Sequence, residues 1–473
     1  MSQFSISLVW FRNDLRLLDN ETFYKATVSS QYVIPFFCFD EHLFETSHYG
    51  FPRIRHHRAK FLYESVENIN NQITAVNSML LVAKGNPIIE IEKLIHNYAI
   101  DAIFYSKEHC WEEKQREVEL DTMLLKFPKV QSVSFWNSSL LQTSDLPFSL
   151  DSLPKNFTQY FNKVKEILPY TLIKSVPKPI SKPLPQLLQS QRFEMEFPKI
   201  RDIFPLLQFE ESEENPFFEG GEQRGKERVK EYIWTTNSVS IYKETRNGLL
   251  GKNYSSKFSP WLSVGSISTR FVYEEILRYE EEREANESTY WLGYELFWRD
   301  YFQLVAQKYG KNIFLPKGLK GFGQKKEYSP EFAQHWIQGT TGIPFIDAAM
   351  KEISQTGYMS NRMRQNVASY LIHELNIPWL FGAEYFESHL IDYDPSSNYG
   401  NWNYLAGVGC DPREIRKFSI LKQAKTYDPY GEFVRHWIPE LLDLDDSVIH
   451  TPWLSKKTCS YPKPIVQLKE NSK

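Results

Sequence analysis

The chain has 473 residues, 41% hydrophobic and 24% charged, with a net charge of −4. This length supports two or three sizeable cores, and this balance excludes a disordered or fibrous chain. The small net charge also excludes a globally basic protein, so any nucleic-acid contact must come from a local basic face.

Four cysteines, Cys38, Cys110, Cys410 and Cys459, show neither a CxxC pair nor Cys/His zinc spacing. A reducing compartment and no metal site are expected. The polar run Arg12-Asn-Asp14 leaves no room for a signal peptide, and no apolar run is long enough for a membrane span. A cytoplasmic monomer is expected, which makes the sequon Asn253-Tyr-Ser255 incidental. The aromatic share of 15% is high and fits either a dense core or a buried planar ligand.

In chain order, apolar runs at 5–9, 33–39, 79–83, 102–105 and 130–135 read as strands. Helical patterns at 55–73, 87–98 and 112–127 lie between them. This alternation predicts a doubly wound parallel sheet with ligands at the carboxyl ends of its strands. No GxGxxG follows the first strand, which excludes a nicotinamide Rossmann site. In its place stands Trp10-Phe-Arg-Asn-Asp-Leu-Arg16, continuing to Asn20. By residue type alone it is a polar loop of paired charges. The pair His56-His57 reads as an exposed basic helix face. Glu108 reads as a solvated acid ahead of a helix.

From Pro169 to Pro216, prolines at 169, 177, 179, 183, 185, 198, 205 and 216 mark a long connector. The run Glu210 to Glu214 reads as a solvated acidic face. Gly220-Gly-Glu-Gln-Arg-Gly-Lys-Glu227 approaches a phosphate-binding loop. However, Glu227 replaces the magnesium-ligating Ser/Thr and no strand precedes it, so it reads as a helix start. Helical patterns follow at 229–241, 270–284, 290–309, 344–355, 362–375 and 383–391. An all-α domain large enough to enclose a cofactor is expected.

Four stretches of this helical part carry chemistry. Ser255, Ser256 and Ser259 bracket Lys257 before an apolar run, which suits either a diphosphate or a simple N-cap. In 288–302, Tyr294 and Phe297 read as core, while Glu295 and Trp298 make a mixed polar and stacking surface. Tyr358-Met-Ser-Asn-Arg-Met-Arg-Gln365 supplies guanidinium groups. The run 390–407, read as turn-rich, supplies Asp392, Asp394, Asn398, Trp402 and Tyr404. Carboxylates and amides would contact the edge of a flat polar heterocycle, with rings against its faces. Arg246, Arg362, Arg413, Arg416, Lys417 and Lys422 could together track a nucleic-acid backbone. His373-Glu374 lacks the second histidine of a zinc protease helix.

From Trp10-Phe-Arg-Asn-Asp-Leu-Arg16 to Trp437-Ile-Pro-Glu-Leu441, these motifs resemble the photolyase/cryptochrome family, most closely its DASH cryptochrome branch. The resemblance implies an α/β doubly wound antenna domain at 1–136, a linker at 137–224, an all-α FAD-binding domain at 225–460 and a short tail at 461–473. It implies that Ser255, Ser256, Lys257, Phe258 and Ser259 hold the FAD diphosphate, with Tyr242 packed near it. Arg364 would pair with Asp392 beside the flavin. Asp392 and Asp394 would contact the isoalloxazine and ribityl region. Asn398 would face flavin N5, where an amide adds no charge.

The resemblance also implies that Asn361 lies between adenine and substrate, and that Glu295 and Trp298 engage a pyrimidine dimer. Arg246, Arg299, Arg362, Gln365 and Tyr404 would face DNA. Gln365 and Tyr404 depart from the usual repair-enzyme residues, which suggests a preference for single-stranded DNA. Trp402 and Trp379 would carry electrons. Lys326 occupies the outer tryptophan position, so photoreduction is expected to be slower or to use nearby Tyr328. A 5,10-methenyltetrahydrofolate antenna is implied at the domain junction, contacted by Glu108, although Cys110 and Trp111 depart from the usual pattern. The implied activity is light-driven repair of cyclobutane dimers by electron transfer from reduced FAD. The alternative is a non-enzymatic blue-light photoreceptor that binds DNA or regulates transcription.

Overall fold

The structure, a computed structural model, describes residues 3–168, 177, 182, 184, 188, 196–209, 217–322, 328–410, 417–456 and 460–468. Most of the proline-rich connector, the acidic run from Glu210, Lys326, Arg413, Arg416 and Cys459 lie outside these residues.

The N-terminal part is a five-stranded, all-parallel sheet: β1 Phe4–Phe11, β2 Ser30–Asp40, β3 Leu81–Gly85, β4 Ala102–Ser106 and β5 Gln131–Phe135, in the order β3-β2-β1-β4-β5. Central β1 and β4 are buried nearly throughout, because helices cover both faces and leave no solvated side. The sheet extends one way through β2 and β3 and the other way through β4 and β5, so β1 and β4 form the switch point where such folds bind ligands. The crossover helices are α1 Glu21–Ser29, α2 His56–Ala75, α3 Pro87–Tyr98 and α4 Trp111–Leu124. The first of these was not evident in the sequence pattern. Asn20 and Asn86 cap α1 and α3 through their side chains.

Two observations correct the sequence reading of this part. The loop after β1 is not a set of charges paired with each other. Arg16 is only 1% exposed and donates to four backbone carbonyls: Leu18, Asp19, Asn137 and, across the domain boundary, Gly265. Asp19 pairs with Arg270 at 2.9 Å, and Glu222 accepts from the backbone of Leu17. The loop therefore latches the sheet domain to the helical one. His56 and His57 are half-buried rather than exposed, with rings 4.0 Å apart, because α2 packs on helix Trp379–His389. Burial pushes His57 down to about 4.

The helical part has one large core. Helices Thr269–Glu282, Glu287–Tyr309, Pro344–Thr356, Asn361–His373 and Trp379–His389 fall close to their expected positions. The expected helix at 229–241 instead runs Glu222–Lys230, then a π turn Glu231–Thr235 and a 3-10 turn Ser238–Ile241. Its start just after Gly221 agrees with the helix-start reading of that glycine-rich stretch. Helix Phe157–Ile167, inside the expected linker, packs into the helical core through Phe157, Tyr160, Phe161 and Val164. No helix among the described residues is long and apolar enough to cross a membrane.

Candidate functional site

A cavity of about 460 Å³ opens among helices Glu287–Tyr309 and Asn361–His373, the loop before Ser259 and the stretch after Asp392. It lies within the ~300–1,000 Å³ usual for cofactor sites. A recess of about 80 Å³ shares its Arg364 and Asp392 wall and reaches Asn398 and Trp402. Sixteen residues singled out from sequence thus meet at one place: Tyr242, Arg246, Ser255, Ser256, Lys257, Phe258, Ser259, Glu295, Trp298, Arg299, Asn361, Arg364, Gln365, Asp392, Asp394 and Tyr404.

The floor is built on Asp392. Its Oδ2 accepts from Arg364 Nη2 at 2.8 Å and from Ser259 Oγ at 2.6 Å. Arg364 Nε donates to the carbonyl of Met359, which fixes the guanidinium plane. Asp392 Oδ1 is buried without a partner among the described residues, and a buried acceptor left so calls for a donor. The run read as turn-rich is in fact helix Pro395–Leu405. Asp394 caps it, accepting from Ser397 N at 2.6 Å, and Pro395 occupies its first turn. Asp, Pro and Ser start helices as readily as they make turns. Asp394→Ala is therefore expected to destabilise the flavin-free protein by about 1 kcal/mol in urea unfolding, whereas Asp394→Asn keeps the cap and the stability.

The serine loop is held from behind by Arg228, a residue the sequence reading missed. Its guanidinium is 3% exposed and donates to the carbonyls of Lys252, Ser255 and Ser256 and to Asn253 Oδ1. Its only sequence signal is a place on the helix that starts after Gly221. Lys257 sits at φ 54. Its ammonium donates to the Gly251 carbonyl and lies over the rings of Phe217, Tyr254 and Tyr358. The ammonium is thus held by the loop's own carbonyl and rings at the cavity wall.

Buried Glu352 feels the charges of Lys257 and Arg364, yet burial dominates and pushes its carboxyl up to about 8. Between roughly pH 4.5 and the folded value, the unfolded chain has released a proton that the folded chain keeps, so stability falls as pH rises across that window. Glu352→Gln removes this slope. The variant is expected to gain stability relative to wild type as pH is raised through the window, checked by urea melts at several pH values.

At the mouth, Glu295 is ion-paired with Arg246, whose guanidinium lies over Trp291 at 5.3 Å. Burial raises the Glu295 carboxyl, and Arg246 opposes that shift. Trp298 stacks on Phe157 at 3.8 Å and 11°, and Tyr404 stands at 82° to it, 6.3 Å away. One indole face is thus covered, and the remaining rings form an open corner. Arg362 donates to Asn247 Oδ1 and Gln365 Oε1 and lies over Tyr427 at 4.5 Å. Arg299, expected to face DNA, is instead turned inward. It donates to the carbonyls of Ser138 at 2.5 Å and Leu262 at 3.3 Å, and its side chain is 13% exposed.

Trp402 packs at 5.1 Å on Phe386 and over Gly382, where any side chain would overlap the indole. Trp379 is buried and donates to the carbonyl of Pro316. Tyr328 packs on Phe381 and Tyr49 and is 47% exposed. The ring beside Trp379 is Tyr399, at 6.2 Å.

A second cleft, of about 210 Å³, lies at the carboxyl ends of β1 and β2 against the helical domain, lined by Trp10, Asn13, Asp40, Glu113, Glu387 and Tyr393 among others. Glu108 is buried rather than solvated and accepts from Asn13 Nδ2 at 3.1 Å. The same amide reaches Glu113 at 3.2 Å. Burial pushes Glu108 up to about 7 and Glu113 well above the usual carboxylate range. Cys110 lies behind, 3.1 Å from Ser396 Oγ.

The family model described as "FAD binding domain of DNA photolyase" matches residues 291–473, which carry Asp392, Arg364, Glu295, Trp298 and Tyr404 of the larger cavity. The model described as "DNA photolyase" matches residues 7–183. These matches set the class, a two-part FAD-binding protein of the photolyase type. A cryptochrome DASH from Synechocystis sp. is 41% identical over 475 residues, covering 98% of this chain and 96% of the relative. One from Danio rerio is 41% identical, covering 98% and 90%. The crystal structure of a Synechocystis sp. cryptochrome superposes with a TM-score of 0.89 at 40% identity, covering 99% of this chain and 98% of that one. The chain belongs to the photolyase/cryptochrome family, on its cryptochrome DASH branch.

Proposed function

We propose that this protein uses blue light and reduced FAD to split cyclobutane pyrimidine dimers, with single-stranded DNA as the preferred substrate. The observation that carries this reading is one continuous cavity, with the Asp392–Arg364 floor beneath and the Trp298–Tyr404 corner and Glu295–Arg246 pair at its mouth. The residues fit FAD. Asp392 Oδ1 waits for a donor, the serine loop offers hydroxyl and amide groups, and Arg364 is fixed in its plane. When bound and reduced, FAD supplies a photoexcited electron that opens the cyclobutane ring and returns, with no net redox change.

The chain's own residues bind, orient and exclude water. Ser255, Ser256 and the backbone from Lys257 to Ser259 would hold the diphosphate, with Tyr242 beside it, while the Ser259 hydroxyl stays on Asp392. Asp392 and Asp394 would hold the flavin and ribityl region, Asn398 would lie beside the flavin ring, and Asn361 would sit between the cofactor and the substrate. Trp298 offers its free face to the extruded pyrimidines, Tyr404 closes one side, and Glu295 hydrogen-bonds the base edge. Arg246, Arg362 and Gln365 meet the strand at the rim. Extruding bases from a duplex costs about a few kcal/mol that a single strand largely avoids. Trp402 and Trp379 form the inner electron route. The junction cleft, with Glu113 at its wall and Glu108 behind, takes a 5,10-methenyltetrahydrofolate antenna.

The test is illumination of the reduced protein with dimer-containing oligonucleotides, single- and double-stranded, with Glu295→Ala as control. Dimer loss in the single strand, weakened by Glu295→Ala, is expected. Loss in neither substrate would favour a blue-light photoreceptor without repair activity.

A further inference from the structure

We propose that Tyr399 is the terminal electron donor of the aromatic route, giving an electron to oxidised Trp379 and its phenolic proton to Glu387. This deepens the FAD reading above and rests on it. Tyr399 and Glu387 face each other from helices Pro395–Leu405 and Trp379–His389. The Tyr399 ring lies 6.2 Å from that of Trp379 at 80°. Its hydroxyl donates to Glu387 Oε2 at 3.0 Å, within reach for direct proton transfer. On its other side stands Phe314 at 4.5 Å, a ring with no ionisable proton. Tyr399 is 5% exposed and Glu387 6%, so the phenol has little access to bulk solvent and Glu387 is its proton acceptor.

The balance is as follows. One electron passes from the phenol to the oxidised Trp379 indole and restores it. The Tyr399 O–H bond breaks and an O–H bond forms on Glu387. The products are a neutral tyrosyl radical and a neutral carboxylic acid. The oxidant at the far end is the light-excited oxidised flavin, reached through Trp402. Oxidising a buried phenol without a base would strand a charge in a low-dielectric core, and Glu387 avoids this. Burial is the main cause that raises the Glu387 carboxyl above its usual range, opposed by Arg53 and Arg58 and assisted by Glu112, so the group is a better proton acceptor than an ordinary carboxylate. Glu387 Oε1 lies 3.4 Å from Arg53, and Glu387 lines the junction cleft, a way for the proton to leave.

Flash photolysis and EPR of the full-length, FAD-loaded protein test the step. Wild type is expected to form a tyrosyl radical more slowly in D₂O than in H₂O. Tyr399→Phe is expected to lose that radical and the long-lived charge separation while keeping its flavin. Glu387→Gln keeps a hydrogen-bond acceptor but not a proton acceptor, and is expected to suppress the radical as well. Tyr328→Phe is expected to change nothing. An undiminished tyrosyl signal in Tyr399→Phe, loss of the signal in Tyr328→Phe, or only tryptophan radicals in wild type would overturn the proposal and leave the FAD reading intact. A Trp402→Phe protein that photoreduces normally would bring down the aromatic route itself, and this step with it.

Discussion

Asp392→Ala is expected to give a folded protein that purifies almost colourless. Asp392 is the acceptor shared by Arg364 and Ser259, and its side chain is 2% exposed. Removing it leaves the guanidinium with one carbonyl partner at a wall that has lost its negative charge. Breaking a buried pair by removing one partner costs about 3–5 kcal/mol, roughly 10²- to 4 × 10³-fold in an equilibrium constant at 1.4 kcal/mol per decade. The pair lines the cavity and also ties helix Asn361–His373 and Ser259 to the stretch after His389, so the loss is shared between flavin binding and stability, and urea unfolding measures the second share. Asp392→Asn keeps one acceptor and is expected to bind FAD with intermediate affinity. Flavin absorbance per mole of protein and fluorescence titration with FAD measure both, with far-UV circular dichroism as the folding control. A full flavin complement in Asp392→Ala would remove this floor from the cofactor site.

The sheet was legible because the inner strands are buried, continuous apolar runs; edge strand β5, Gln131-Ser-Val-Ser-Phe135, is not buried, yet all five occur within a few residues of their expected places. The site was legible as clusters of residue types whose positions in the chain kept their order. What failed had local causes. Asp394-Pro-Ser-Ser reads as a turn until the helix it caps is seen. Phe157–Ile167 falls inside the linker expected at 137–224, although its apolar residues recur at helical spacing. The roles of Lys257, Arg299 and Arg16 depend on where a long flexible side chain is pointed. Distant carbonyls and rings decide that, and no spacing rule reports them. Closeness in sequence pointed to Tyr328, whereas the fold sets Tyr399 6.2 Å from Trp379. Helix packing brings together residues that are far apart along the chain.

Trp298 and Phe157 separate substrate stacking from support of the stack. The two rings lie 3.8 Å apart and nearly parallel, so Phe157 covers one face of Trp298, which also lines the cavity with Phe302 tilted at 36° and 5.5 Å beside it. Stacking a base on an aromatic side chain is worth about 1–3 kcal/mol. Trp298→Ala is therefore expected to weaken binding of a dimer-containing single strand by roughly 10–100-fold, with flavin content preserved. Trp298→Phe restores much of that loss, because a ring face is what the pyrimidines need. Phe157→Ala acts differently. Phe157 is 3% exposed and belongs to the helical core, so its truncation is expected to cost about 3–5 kcal/mol of stability. It leaves the binding face of Trp298 chemically intact but free to tilt, and affinity should fall less than in Trp298→Ala. Equilibrium binding of a labelled oligonucleotide in the dark and urea unfolding separate the two effects. Equal loss of affinity for dimer-containing and undamaged strands in Trp298→Ala would show that the indole meets the backbone and not the lesion.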